Sequence, residues 1–308
     1  MNMKSRRYYK RKNTFFLFLM LLPGCLYLLI NNYLPMAGIT VAFKDYNPLK
    51  GIWGSEFCGG KNFEFLFKTA DIFYVMKNTV LYNAVFLILT TAGGIVLAIL
   101  LSGVRNKILV RILQTVYLLP TLVSSVILTY MVLTMLDEKS GFFNSALFPA
   151  LGLNPVAWYS EPKVWIVLLP LLNLWSNVGQ TSIIYYASLI SFDRTYYEAA
   201  SMDGASRFQQ AVYITVPLLK RTIALMVVLA LGRLFTSNFG LFYQVPMDSG
   251  ALYSTTNVLD TYVYRGLIQL NDIGMASAAG LIQSLLGFAL VFLTNWGLQK
   301  YSPENSIF

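Results

Sequence analysis

The chain has 308 residues, of which 56% are hydrophobic and only 12% are charged. Soluble domains carry about 25% charged residues, so this composition excludes an ordinary water-soluble enzyme and indicates a protein embedded in lipid. The net charge of +9 could indicate nucleic-acid binding, but no groove-sized basic helix or aromatic-basic module supports that function.

Six apolar runs approach or exceed the roughly 20 residues that a helix needs to cross a bilayer. We predict transmembrane helices at about 14–34, 79–102, 112–136, 164–190, 218–243 and 274–298. The first run is too long for a signal peptide and lacks a small-residue cleavage site, so it should remain as a membrane helix. The sequence therefore predicts an all-α integral membrane protein with six transmembrane helices. It has a basic tail at 1–13 and a single membrane domain at 14–308.

Basic residues mark one side of this membrane protein. They precede the first helix, fill the connection between the second and third, and surround the polar segment before the fifth: Lys4, Arg6, Arg7, Lys10, Arg11, Lys12, Arg105, Lys107, Arg111, Arg194, Arg207, Lys220 and Arg221. The positive-inside rule makes that side the cytoplasm and places both termini there. Loops at about 41–78, 137–163 and 244–273 are then extracytoplasmic.

Much side-chain chemistry is excluded by composition. The chain has no histidine, and its two cysteines, Cys25 and Cys58, indicate neither a disulfide nor a CxxC site. It also has no phosphate-binding P-loop and no GxSxG nucleophile elbow. We therefore predict no catalytic residue, no metal site and no ATP hydrolysis by this chain itself.

Three amides recur on one face of the predicted fourth helix. Asn173, Asn177 and Gln180 follow the spacing i, i+4, i+7. One interpretation is hydrogen bonding between helices, which is common and contributes only around 1 kcal/mol per contact. The other is a polar wall for sugar hydroxyls, with Trp175 as a stacking surface. The helix face alone leaves both open and slightly favours the structural one.

Two further polar residues fall within predicted spans. Arg233 is expected inside the fifth helix, in the outer half of the bilayer, where an unpaired guanidinium is costly. The favoured interpretation is structural: Arg233 pairs with an outer carboxylate such as Asp260 or extends outward to the membrane surface. The alternative is contact with an anionic or hydroxyl-rich ligand. Gln283 in the sixth helix carries the same ambiguity as the amides of the fourth.

A polar segment at 196–220 separates the fourth and fifth helices. Residues 196–202 suit a short helix with Glu198 near its start, where the helix dipole favours a carboxylate. Gly204 can supply the positive φ that ends a helix sharply. A second helix is expected at 205–214, and Pro217 marks the first turn of the fifth membrane helix.

This pattern, Glu198-Ala199-Ala200 followed by Gly204 and by Ile214-Thr215-Val216-Pro217, resembles the coupling loop of bacterial ABC importer permeases. The surroundings resemble the carbohydrate branch of maltose-type permeases, and most closely the LplB-like polysaccharide or complex-oligosaccharide subgroup. The residues that carry this likeness are Leu22-Pro23-Gly24, Tyr33-Leu34-Pro35-Met36, Ala42-Phe43-Lys44-Asp45-Tyr46, Leu119-Pro120, Tyr185-Tyr186-Ala187 and Asp260-Thr261-Tyr262-Val263-Tyr264-Arg265. The family often has leucine before the proline, where this chain has Val216.

The resemblance implies a type I importer permease in the bacterial inner membrane that carries oligosaccharides or polysaccharide fragments. The coupling loop, about 191–217, would dock on an ATPase subunit through Glu198, Ala199, Ala200, Asp203, Gly204 and Pro217. The implied partners are a second permease in a heterodimer, two subunits that bind ATP and magnesium, and an extracytoplasmic sugar-binding protein. The substrate path would use Asn173, Trp175, Asn177, Gln180, Arg233 and Gln283.

Two other function classes are possible for a membrane protein of this composition. A secondary sugar transporter not coupled to ATP would need a carboxylate relay within the membrane. Outside the coupling segment and the C-terminal tail, the acidic residues fall in the predicted outer loops, so the sequence gives that class little support. A membrane-embedded enzyme would need paired carboxylates, a histidine or a reactive thiol near a helix end, and no such group occurs.

Overall fold

The protein is described by a computed structural model that covers residues 3–68, 71–269 and 271–301. Side chains are described for 16–64, 72–269 and 271–300. The predicted basic tail at 1–13 therefore lies outside the described side chains, as does the end of the predicted membrane domain at 302–308.

Helices dominate the described residues. The α-helices are α1 Met3–Leu28, α2 Gly51–Gly54, α3 Lys61–Lys68, α4 Asp71–Ser102, α5 Lys107–Leu118, α6 Ser125–Leu136, α7 Phe148–Ala150, α8 Pro162–Leu189, α9 Thr195–Met202, α10 Arg207–Gln210, α11 Val216–Leu231, α12 Tyr253–Thr256, α13 Leu259–Gln269 and α14 Ile273–Tyr301. Turns of 3-10 helix lie at Leu34–Phe43, Leu119–Leu122 and Gly250–Leu252, and π-helical turns at Leu29–Tyr33, Phe143–Leu147, Ala211–Thr215 and Gly240–Gln244. The all-α prediction missed one short antiparallel pair, β1 Lys44–Asp45 with β2 Glu56–Phe57.

Several helices are able to cross a membrane. Four in the described residues are long and apolar enough: Phe16–Phe43, Ile72–Ser102, Arg207–Leu231 and Ile273–Lys300. A fifth is present if the bent pair Lys107–Leu122 and Ser125–Leu136 is one span. Helix α8 covers the predicted fourth span, but it carries three amides among its apolar residues and is not one of these four. The count of six spans stays a prediction.

The predicted third helix, 112–136, is wrong as one continuous rod. Its two halves meet at an angle of 92°, and we call residues 119–124 the first break. Pro120 lies near the start of this break, and it has no backbone N–H to donate to the preceding helical turn. The Ser124 side chain then accepts a hydrogen bond from Ile127 N at 3.3 Å and caps the start of α6.

The predicted fifth helix, 218–243, is also wrong in its second half. Helix α11 ends at Leu231, and regular helical structure resumes near Gly240. We call residues 232–238 the second break. Arg233 therefore lies in a turn after the helix, where its backbone N donates to Ala230 O at 3.0 Å. The predicted second helix, 79–102, is too short, because α4 begins at Asp71.

The described residues divide into two compact units. The first comprises the chain up to Lys68 together with Gly266–Leu281. In it, the Asn62 side chain donates to the carbonyls of Ala42 and Lys44, each at 3.0 Å. A Cβ on Gly274 would lie 2.6 Å from the Asn62 amide nitrogen, so glycine lets the start of α14 approach the start of α3 closely.

The second unit comprises 69–265 and the chain from Ile282 onward. Helices α4 and α8 form its central pair, and Gly93 and Gly94 let them approach closely. A Cβ on Gly94 would lie 2.8 Å from a Thr181 side-chain carbon. Gly179, on another face of α8, packs directly against the carbonyl of Tyr117. Helix α8 is therefore held between α4 and α5, which fixes the direction of its amide face.

The aromatic core of the second unit reaches the second break. Tyr82, Phe86 and Phe242 are buried, and the rings of Tyr82 and Phe242 lie 5.0 Å apart in an edge-to-face arrangement. Phe242 belongs to the π-helical turn at Gly240–Gln244. Because burial of such rings is a dominant favourable term, this cluster anchors the chain that follows the second break.

Candidate functional site

The predicted coupling segment begins with the short helix α9. The Asp193 carboxylate accepts a hydrogen bond from Thr195 N at 3.0 Å just before it, and this bond lowers the pKa of Asp193. Glu198 lies in the first turn and is exposed, as is Ala199, while Ala200 is half-buried. The predicted helix at 196–202 is therefore confirmed, with a carboxylate at its positive end.

Helix α9 ends in the manner that Gly204 predicts. Gly204 has φ +80°, the left-handed region that favours glycine. Ala205 N donates to Ala200 O at 2.9 Å, and Gly204 N donates to Ser201 O at 3.1 Å. These two bonds form a Schellman motif, which satisfies the last carbonyls of the helix and turns the chain sharply after Asp203.

The second half of the segment is one continuous helical rod. Ser206 caps α10 through a capping box with Gln209. The rod runs through the π-helical turn Ala211–Thr215 into α11, and Pro217 lies in the first turn of α11. The helix expected at 205–214 is thus part of a 25-residue stretch, Arg207–Leu231, that enters the apolar region without a flexible joint.

Side-chain hydrogen bonds tie the two halves together. Gln210 Nε2 donates to Ser201 Oγ at 3.0 Å and to Ala205 O at 3.1 Å. The hydroxyls of Tyr197 and Thr215 lie 3.1 Å apart, and Thr215 is buried. A displacement of α9 would therefore be transmitted to α11 through these hydrogen bonds rather than through a flexible loop.

Large apolar side chains are exposed on this otherwise polar segment. Met202 is 89% exposed, Phe208 78%, Tyr213 77% and Tyr196 57%. We call these four residues the apolar patch. Exposed apolar side chains on a polar segment are candidates for contact with a partner.

A large open cavity lies beside α9. Its volume is about 1190 Å³, and its lining includes Arg105, Lys107, Arg111 and Arg194 together with Glu198. The basic connection between α4 and α5 and the coupling segment therefore lie on the walls of the same cavity.

Two of the three amides of α8, Asn173 and Asn177, face a second, much smaller cavity. Asn173 is buried. The Asn177 Nδ2 donates to the backbone O of Asn173 at 2.9 Å and to the side-chain Oδ1 of Asn173 at 3.1 Å. Both residues line a cavity of about 110 Å³ that also includes Thr121, Ser125, Ser176 and Asn238. We call it the amide cavity. It has room for several waters.

The amide cavity lies where the two helix breaks meet. Thr121 of the first break donates through Oγ1 to Ser176 O at 2.7 Å. Gly240, just after the second break, packs directly against the Ser125 side chain, where no Cβ could fit. Interrupted helices that line a polar cavity are the form in which irregular backbone is tolerated at membrane depth.

The other residues predicted for the substrate path lie elsewhere. Gln180 is exposed, and Trp175 is 39% exposed on nearly the opposite face of α8 from Asn173. Arg233 is exposed, and no carboxylate among the described side chains forms an ion pair with it. Gln283 Nε2 donates to Phe235 O at 2.9 Å, within the second break.

Sequence reasoning missed Thr121, Ser125 and Asn238 as lining residues. Two signals pointed to them: Pro120 within the predicted third helix and the polar run 236–238 within the predicted fifth. Over the described residues, no group of three or more His, Cys, Asp or Glu side chains could hold a metal ion.

Similar proteins share both the sequence and the fold. The chain is 32% identical to Protein LplB of Bacillus subtilis over 288 residues, which cover 94% of this chain and 90% of that protein. It is 33% identical over 289 residues to the polygalacturonan/rhamnogalacturonan transport system permease protein YteP of the same organism, covering 94% and 89%.

The crystal structure of a bacterial ABC transporter involved in the import of the acidic polysaccharide alginate contains a chain that superposes with a TM-score of 0.85. The two chains are 29% identical, and the match covers 96% of this chain and 99% of the other. The family model for the binding-protein-dependent transport system inner membrane component matches residues 90–301. That match spans the two helix breaks, the amide cavity and the coupling segment, and the chain belongs to this family of transport permeases.

Proposed function

We propose that this chain is the membrane permease subunit of an ATP-driven importer of oligosaccharides or polysaccharide fragments. The observation that carries the proposal is the coupling segment: a helix ended by a Schellman motif and bonded to a continuous rod that enters the apolar region. A docked rigid helix transmits rigid-body rotation, whereas a flexible loop would absorb it.

In this proposal the coupling segment docks in a cleft of an ATPase subunit. The apolar patch would supply the buried contact, and Glu198, Ala199, Ala200, Asp203 and Gly204 would set the shape and charge of the docking surface. ATP and magnesium would be held by the two partner ATPase subunits. ATP-driven motion of the cleft would then move α11 through the rod that includes Pro217.

The proposed assembly also needs a second permease and an extracytoplasmic sugar-binding protein. The apolar window of the first helix, within Phe16–Phe43, has none of its residues buried, whereas the other three candidate spans have 17–22%. A partner permease would cover part of this surface, and lipid the rest. The alginate-importer chain, similar to this one, also occurs in a complex with an alginate pentasaccharide-bound periplasmic protein.

We propose that the chain crosses the inner membrane of a bacterial cell six times. Both termini and the coupling segment would then face the cytoplasm. Thiol labelling in intact cells tests this orientation. Cys58 and cysteines introduced near Ser140 and Ser249 should react from outside. Cysteines at Ser5, Lys107 and Ser206 should react only after the membrane is opened. Opposite labelling of Lys107 and Ser206 would contradict the six-span arrangement.

We propose that the sugar passes the amide cavity and that Asn173 and Asn177 exchange hydrogen bonds with its hydroxyls. A cavity with room for only several waters must enlarge to admit a sugar. The two helix breaks line this cavity, and a change of helix direction at the breaks would enlarge it. Trp175, Gln180, Arg233 and Gln283 stay predictions for the wider path. The relatives that import polygalacturonan and alginate make acidic sugars the first class to test.

Arg233 provides the test of substrate charge. Uptake of a uronic-acid oligosaccharide and of a neutral one of equal length would be compared in proteoliposomes that contain the whole transporter. With Arg233→Met, we expect uptake of the acidic sugar to fall about tenfold and the neutral sugar to be less affected, because a charge-assisted contact is lost. Equal losses for both sugars would remove charge recognition from the proposal.

A further inference from the structure

The second break leaves backbone groups without helical partners, and side chains from three other helices satisfy them. Asn83 Nδ2 of α4 donates to Leu234 O at 2.8 Å and to Thr236 O at 3.3 Å. Gln283 Nε2 of α14 donates to Phe235 O at 2.9 Å. Three consecutive carbonyls are therefore bonded to two amides, and the bonds to Leu234 O and Phe235 O are partly buried.

The same break has one backbone N–H that is bonded to a carboxylate. Ser237 N donates to Asp260 Oδ2 at 2.6 Å, and Asp260 lies in the first turn of α13. The Gln283 side chain also lies close enough to this carboxylate to lower its pKa. Burial raises the pKa of Asp260, while Ser237 and Gln283 act in the opposite direction. Gln283 and Asp260 thus form one connected network around the break.

Close packing fixes both ends of the break. At its start, a Cβ on Gly287 of α14 would lie 2.7 Å from Gly232 O, so only glycine allows this approach. At its end, Asn238 Oδ1 accepts from Leu241 N at 3.2 Å and caps the turn that follows. Asn238 also lines the amide cavity. The position of Asn238 is therefore set by how the break is held.

We propose that Asn83, Asp260 and Gln283 are positioning residues that hold the second break and thereby place Asn238 against Asn177 in the amide cavity. This inference rests on the proposed substrate path for its part in transport, but the geometry it predicts can be measured without any sugar. It gives Gln283 a role through the backbone of the break rather than through direct contact with the substrate.

The physical reason lies in the cost of unpaired backbone groups. Removing the Asn83 amide would leave the carbonyls of Leu234 and Thr236 without this partner, and such groups are costly in an apolar setting. The cheapest way to satisfy them is to rewind the segment toward a regular helix. Each residue that joins the helix rotates the side chains after it by about 100°, which would carry Asn238 away from the cavity.

The experiment measures the proximity of two cavity residues in the purified whole transporter. Cysteines replace Asn177 and Asn238 in a chain whose Cys25 and Cys58 are changed to serine. A short bifunctional thiol reagent is added, and the cross-linked peptide is quantified by mass spectrometry after proteolysis. Asn83→Leu, Gln283→Met and Asp260→Ala are then introduced one at a time. Each should lower the cross-linked fraction about fivefold, as expected when a hydrogen bond of ordinary net strength is lost.

Two controls separate positioning from a general loss of structure. Asp260→Asn keeps an oxygen that can accept from Ser237 N, so it should retain the cross-link that Asp260→Ala loses. Thr134→Val removes an exposed hydroxyl that bonds the carbonyls of Tyr130 and Met131 in its own helix α6, each at 2.9 Å, and should change nothing. Only chains that co-purify with their partner subunits are counted, and if Asn83→Leu does not assemble, Gln283→Met carries the test.

Unchanged cross-linking in Gln283→Met and Asp260→Ala would overturn the proposal, as would equal losses in Asp260→Asn and Asp260→Ala. Uptake is recorded separately, on the same single variants with Asn177 and Asn238 intact. Loss of the cross-link with normal sugar uptake would support the positioning role and contradict the substrate path. An intact cross-link with lost uptake would contradict the positioning role alone.

Discussion

Gly204→Val is expected to reduce ATP-driven uptake at least about tenfold while the chain remains in the membrane. A β-branched residue at φ +80° adds about 1–3 kcal/mol of backbone strain, which the two Schellman hydrogen bonds cannot offset. The turn would rearrange, and α9 would lose its fixed position on the rod that begins at Arg207. The measurements are co-purification of the ATPase subunits and stimulation of their activity by the loaded binding protein.

A matched variant makes this result specific to the backbone. Gly204→Asn adds a side chain of similar size, but asparagine adopts the left-handed region more readily, so it should retain much of the coupling. Glu198→Lys changes charge without backbone strain and should also weaken docking, since it reverses the one acidic group in the first turn of α9. Wild-type coupling in both Gly204→Val and Glu198→Lys would contradict docking through this segment.

Asn177→Ala is expected to lower uptake about tenfold or more with normal assembly. The Asn177 amide reaches Asn173 in the wall of the amide cavity, and losing a buried hydrogen bond to a ligand costs on the order of 1–3 kcal/mol. Uptake would be measured with saturating binding protein, so that a change reflects the permease. The amount of complex recovered from the membrane reports on folding.

The control for this prediction is Thr134→Ala, which removes an exposed side-chain hydroxyl that is bonded within its own helix α6. It should leave uptake unchanged. If Asn177→Ala reduced the recovered complex and the remaining complex transported normally, the amides would be structural. That outcome would favour the alternative that the sequence left open, hydrogen bonding between helices.

The coupling segment was predictable because its signals are local. The end of α9, the left-handed Gly204 and the early proline of α11 all depend on residues within about one helical turn of each feature. Local capping chemistry does not change when the rest of the chain is unknown. The sequence therefore indicated both the shape of the segment and the family it resembles.

The helix breaks were not predictable from periodicity, because their stabilising partners are distant in sequence. Asn83 lies 151 residues from Leu234, whose carbonyl it bonds, and the flanking runs are apolar enough to suggest one continuous span. Pro120 and Gly232 are tolerated in many membrane helices, so neither decides the matter alone. For this reason the sequence predicts Arg233 inside a helix, and it indicates only the α8 wall of the amide cavity.

Uptake into proteoliposomes that contain this chain with its partner permease, ATPase subunits and binding protein tests the central claim most directly. Labelled oligosaccharide and binding protein are supplied on the extracytoplasmic side, and ATP with magnesium on the side of the coupling segment. Uptake that requires ATP, and that an imposed proton or sodium gradient cannot replace, is the predicted result. Uptake driven by an ion gradient without ATP would contradict the account and indicate a secondary transporter.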